Sequence, residues 1–166
     1  MDDDAPKVNF WQAVGMRATA ATIATAQGAD GPAGFVALSA THFCADPPTF
    51  TVAVGSDTSA LRAIHESGHF AINVLSTAAV DVWDRFAQRQ PPKGAARFEG
   101  LAFTGGVRGA PVFRDALAAY ECDLSDWVDR GSTQLIFGKL VRLWEGEQTA
   151  PLVAYRNGMA GLGTLG

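Results

Sequence analysis

The clearest alternation of apolar and polar positions lies at residues 49–55, TFTVAVG, where Thr, Phe and Val alternate with period two. That period places one set of side chains on each face of a strand. The stretch before it, 34–48, reads GFVALSATHFCADPP. It starts apolar, carries short polar residues in its middle and is stopped by Asp46-Pro47-Pro48. A strand that ends in a forced turn offers backbone N–H and C=O groups to a flat polar ligand. Small and β-branched residues at 19–26 predict a first strand, and GADGP at 28–32 a hairpin turn into the stretch that follows. Residues 69–76, HFAINVLS, predict another strand. Two long strands are predicted at 116–129 and 133–147, paired across Asp129-Arg130-Gly131-Ser132, and a short one at 151–159.

Helical spacing is confined to three places. Val8, Trp11 and Val14 share a face of a short opening helix over 8–16. A second helix is predicted over 60–67, with Asp57 or Thr58 as its N-cap and Gly68 as the residue that closes it. A third covers 77–90, with Val80, Trp83 and Phe86 as core positions. Loops are predicted at 91–100, tightening near Phe98, and at the glycine-rich 105–109, with flexible tails at 1–7 and 161–166. Strands dominate and do not alternate strictly with helices, which disfavours a doubly wound parallel sheet. The pattern predicts a mainly β, antiparallel barrel with two or three short helices packed outside.

Composition narrows the function classes. One domain with a sizeable core is expected from 166 residues, 48% of them hydrophobic and 18% charged. A net charge of −4, with 13 scattered basic residues, argues against a nucleic-acid binder. The acidic opening MDDDAPK and the lack of a long apolar run argue against secretion and membrane insertion. Cys44 and Cys122 lie too far apart in sequence for a CxxC site and fit a reducing cytoplasm.

Two motifs match by letter and fail by context. His65-Glu66-Ser67-Gly68-His69 is a literal HExxH. The zincin arrangement needs both histidines on one helix; Gly68 and the β-rich run after it predict that His65 ends a helix while His69 opens a strand, so the imidazoles diverge. Gly161-x-Gly163-x-x-Gly166 is a literal GxGxxG at the end of the sequence, with no helix to open. No GxSxG elbow is present, and nothing orients His42 as a base for Cys44. No catalytic acid, base, nucleophile or metal ligand is assigned.

The ordered set of segments resembles the flavin reductase-like domain family, the short-chain reductases that supply reduced flavin to two-component monooxygenases. The matching pieces begin with Gly34, Ala37 and Ser39 through Asp46-Pro47-Pro48, then TFTVAV and Ser59 at the head of a helix. They continue with Ser67-Gly68-His69-Phe70-Ala71-Ile72-Asn73-Val74-Leu75, Arg85-Phe86-Ala87, Phe98, Gly109-x-Pro111 and Leu117-Ala118-Ala119-Tyr120-Glu121-Cys122. The last are Gly131, Ile136-Phe137-Gly138 and 151–158. The resemblance implies a Greek-key split barrel that binds FMN (or FAD), takes electrons from NAD(P)H and forms a homodimer, with a flavin-dependent monooxygenase as a further partner.

It also implies a site. Leu38, Ser39, Ala40, Thr41, His42 and Phe43 would line the isoalloxazine and ribityl chain. Ser56, Asp57, Thr58 and Ser59 would cradle the flavin phosphate at a helix N-terminus, with Arg85 and Arg89 as charge partners. Thr133 stands where the family's turn carries a histidine near the nicotinamide, and Val36 and Leu38 replace hydroxyl or amide residues. From the residues alone, the hydroxyls equally cap turns and strand ends. Two other readings remain open: a flavoprotein of this fold that is not a reductase, and a split-barrel binding protein without flavin chemistry.

Overall fold

The computed structural model describes residues 9–163. Its centre is a seven-stranded antiparallel sheet of order β3-β2-β6-β9-β10-β5-β4. The strands are β2 (Thr22–Gly28), β3 (Gly31–Val36), β4 (Thr41–Ala45), β5 (Pro48–Gly55), β6 (His69–Leu75), β9 (Ala116–Arg130) and β10 (Thr133–Glu145). A three-stranded sheet joins β1 (Thr19–Ala20) to β11 (Leu152–Tyr155) and β12 (Gly158–Gly161). A short hairpin pairs β7 (Phe103–Gly105) with β8 (Pro111–Phe113).

The stretch 34–48 is not one strand. It breaks after Val36, turns through 37–40 with Ala40 N–H donating to the Ala37 carbonyl at 2.9 Å, and resumes as β4. β3 and β4 lie at opposite edges of the central sheet, so this turn bridges the two edges. Thr22 clamps the turn, its Oγ1 donating to the Ala37 carbonyl at 2.6 Å. The expected single strand at 151–159 is likewise the β11–β12 hairpin, turned at Arg156 and Asn157, both at positive φ.

Two apolar cores lie on the two faces of the sheet. Alternation along β2 sends Ala24 and Ala26 to one and Ile23 to the other. The first core contains Val52, Val54, Phe70, Ile72, Cys122 and Ile136 and is closed by α2 (Ser59–Ser67) through Ala60, Leu61, Ala63 and Ile64. The second holds Val82 and Phe86 of α3 (Val80–Ala87), with Phe98 and Phe113 stacked beside them. The helices are therefore divided between the faces, α3 covering one and α2 set against the core of the other. The short α1 (Phe10–Gly15) buries no residue; Trp11 is 71% exposed. Asn73 ties the layers together: its amide donates to the Pro111 carbonyl at 3.2 Å and accepts from Phe113 N–H at 3.0 Å.

Both sides of α2 end as the sequence predicts. Thr58 is the N-cap, accepting from Leu61 N–H at 3.1 Å, and Gly68 closes the helix at φ 64°. That turn separates His65 from His69, which is buried on β6. Among the described residues no group of three or more His, Cys, Asp or Glu is arranged to hold a metal. Gly161 lies on β12 and precedes no helix among the described residues, while Gly166 falls outside them.

Candidate active site

The register of β5 sets the site. Its residues pair with β4 on one side, Thr51 opposite Thr41, and with β10 on the other, Gly55 opposite Thr133. Moving along β5 therefore passes Thr41, then Ser39, then Thr133, then the loop 56–59. Ser39 is tied to the strand by its hydroxyl, which accepts from Ala53 N–H at 3.0 Å. From Ala53 to Ser56 is about 10 Å of extended chain at about 3.3 Å per residue. The loop is in turn stitched to the β9–β10 turn: Ser56 N–H donates to the Ser132 carbonyl at 2.9 Å and its hydroxyl to the Gly131 carbonyl at 3.0 Å.

Two features fit a flavin. β4 is an edge strand, bonded only to β5, so the backbone groups of its outer edge have no strand partner. Thr41, His42 and Phe43 are exposed there, with Phe43 edge-on to Phe137 at 5.1 Å. The second feature is the start of α2, whose first-turn N–H groups point at the loop 56–59. Thr58 Oγ1 is spent, donating to Gly55 O at 2.8 Å while capping. Ser59 lies exposed in the first turn.

A cleft of about 460 Å³ opens beside this loop, lined by Ser56, Asp57, Thr58, Leu61, Arg62, His65 and Glu66. Arg62, absent from the sequence expectation, is its cation; it reaches Asp30 only at 3.9 Å, and both side chains are largely exposed. The expected cations lie elsewhere. Arg85 sits on α3 with its guanidinium donating to the Glu99 carbonyl at 3.1 Å, and Arg89 is exposed beyond the end of α3. Neither lines the cleft. Helical spacing was the available signal for Arg62, since positions 62, 65 and 66 share a face of the helix that Thr58 caps.

A second polar cluster lies away from the cleft. His69 and Glu121, both 1% exposed, approach to 3.8 Å between Nε2 and Oε2. His69 Nδ1 meets Asp123 Oδ1 at 3.0 Å, and Arg108 Nε reaches the same carboxylate at 2.8 Å. Glu121 accepts from Val107 N–H at 2.6 Å, an approach that Gly106 permits by having no side chain to meet the carboxylate. Beside it, burial first and then Asp123 and Glu121 push the Cys122 thiol up to about 12.

Comparison with known proteins agrees with this geometry. Residues 15–163 match the flavin reductase like domain. The chain is 36% identical over 129 residues to a probable flavin reductase of Rhizobium meliloti (strain 1021), covering 77% of this chain and 40% of that longer protein. It is 32% identical over 127 residues to the FMN reductase (NADH) RutF of Ancylobacter novellus, covering 76% of this chain and 69% of the relative. Among solved structures, BorF, the flavin reductase component of a bacterial two-component tryptophan halogenase, superposes with a TM-score of 0.82 at 29% identity, over 93% of this chain and 97% of BorF. An edge strand with free backbone groups, a capped helix N-terminus beside it and a match over nearly the whole chain converge: the chain belongs to the flavin reductase like domain family.

Proposed function

We propose that this flavin reductase holds FMN or FAD between the free edge of β4 and the N-terminus of α2, and that NADH delivers hydride to it beside Thr133. The observation that carries this reading is the unpaired outer edge of β4, which runs toward the loop 56–59 along β5. When bound, flavin supplies the hydride acceptor. The chain supplies position. Backbone groups of 38–43 orient the polar rim of the ring system, so Val36 and Leu38 need no side-chain donor. Ser59 and the first-turn N–H groups of α2 hold the phosphate. Asp57 is freed from capping by Thr58 and stays exposed at the cleft. Holding donor and acceptor at near-attack distance supplies the acceleration, and no acid or base is required of the protein.

Anaerobic stopped-flow tests the reading. Mixing the flavin-loaded protein with NADH bleaches the flavin absorbance well above the rate of free flavin; equal rates would overturn it. BorF, as a reductase component of a two-component halogenase, supports a flavin-consuming oxygenase, such as a flavin-dependent monooxygenase, as partner. A homodimer is part of the same proposal. Phe10, Trp11, Val141 and Leu143 leave apolar surface exposed on one chain, and light scattering coupled to gel filtration is expected to give about twice the 17.4 kDa chain mass. The free cysteines support a reducing cytoplasm as the compartment.

A further inference from the structure

His65 belongs to the motif that forms no metal site, yet its ring lines the cleft. Its Nε2 lies 2.8 Å from Gln134 Oε1, and Gln134 Nε2 donates to Asp129 Oδ1 at 2.7 Å. This chain has a direction. A carboxylate only accepts, so the amide nitrogen of Gln134 faces Asp129 and its oxygen faces His65. His65 must then carry a proton on Nε2, and Nδ1 is left as an acceptor with no partner among the described residues. Trp127, edge-on to the imidazole at 4.8 Å, holds the ring from the side. Gln134 directly follows Thr133, so the anchored imidazole stands where α2 meets the β9–β10 turn.

The other free groups of the cleft say what it takes. The Ser56 and Thr58 hydroxyl protons are committed to backbone carbonyls. Glu66 spends Oε2 on Ala29 N–H at 3.0 Å and retains Oε1. Asp57, Glu66 Oε1 and His65 Nδ1 make three acceptors against one cation, Arg62. That balance disfavours a polyanion deep in the cleft and suits a neutral diol that donates its hydroxyls to the acceptors. A nucleotide ribose has that chemistry.

We infer that His65 is a binding residue for the reduced pyridine nucleotide, its Nδ1 accepting a hydrogen bond from a ribose hydroxyl in the cleft along α2. This rests on the reductase reading above. The adenylate half of FAD carries the same ribose, so the test uses FMN, which has no adenylate, as the acceptor.

Two substitutions separate the ring nitrogens. His65→Asn places an amide oxygen near the Nδ1 position and abandons Gln134. His65→Gln reaches Gln134 as Nε2 does and abandons the Nδ1 acceptor. With FMN, His65→Gln is expected to raise KM for NADH about five- to tenfold, the worth of one hydrogen bond, with kcat and KM for FMN within about twofold; His65→Asn recovers most of that loss. Equal rises in both variants would make His65 a positioning residue only and overturn the inference, as would an unchanged KM for NADH in His65→Gln. A KM change confined to FAD, absent with FMN, assigns the ribose to the flavin and overturns it too. Wild-type protein that reduces no flavin with NADH fails the reductase reading itself, a result visible before any variant is compared.

Discussion

Glu121 shows how much a single side chain can depend on its neighbours. Its carboxylate is 1% exposed and is satisfied by Val107 N–H, with His69 at 3.8 Å and Arg142 at 3.9 Å. Replacing His69 by Leu removes the hydrogen bond from Nδ1 to the Asp123 carboxylate, a loss of about 2 kcal/mol for a bond to a charged group. Chemical denaturation should show that loss, and Asp123→Ala should cost less in that variant than in the wild type, because the two substitutions remove one bond. The sequence exposed half of this. Gly68 was enough to show that His65 and His69 diverge, a local effect of backbone conformation. That His69 would turn inward onto Glu121 was not legible, because the two meet only through β6–β9 pairing, His69 opposite Asp123.

At the scale of the element, α2 organises the site more than any strand does. Its N-cap fixes the loop 56–59, its first turn supplies free N–H groups, and its exposed face carries Arg62, His65 and Glu66. Thr58→Ala removes the bonds to Leu61 N–H and Gly55 O and is expected to cost about 1 kcal/mol of stability. Because the same hydroxyl shapes the loop 56–59, which we propose lies against the flavin phosphate, KM for flavin should rise in steady-state assays while β-sheet circular dichroism stays unchanged. β10 carries a different constraint. Gly138 faces Phe70 and Cys122 so closely that any side chain there would collide with both. Helix α2 was readable from its cap, its closing glycine and its spacing. The division of 34–48 into two edge strands was not, since each half has a strand's local pattern and only the sheet order puts them at opposite edges.

For the molecule as a whole, Cys122 couples the first core to pH. Its thiol is raised from an ordinary 9.0 to about 12 by burial and by Asp123 and Glu121. The native state thus keeps a proton that the unfolded chain releases, and stability must fall as pH rises between these values. Denaturation midpoints are expected to drop across pH 9 to 12, and Cys122→Ala should flatten that slope. At neutral pH a thiol reagent should label Cys44, which is only partly buried, and reach Cys122 only after unfolding.

What the sequence determined by itself is everything that depends on neighbours a few residues apart. The period-two strand at 49–55, the Thr58 cap, the closing Gly68, the divergence of His65 from His69 and the ordered family pattern all belong there. Tertiary structure decided the rest. It set β3 and β4 at the two edges of one sheet, placed α2 and α3 on opposite faces, and put Arg62 in the cleft instead of Arg85 or Arg89. It also left the outer edge of β4 unpaired, the feature on which the proposed flavin site rests. The reason is physical: side-chain period and capping are short-range, whereas strand order is fixed by pairing between segments far apart in the chain, and no local pattern encodes which segment will be the neighbour.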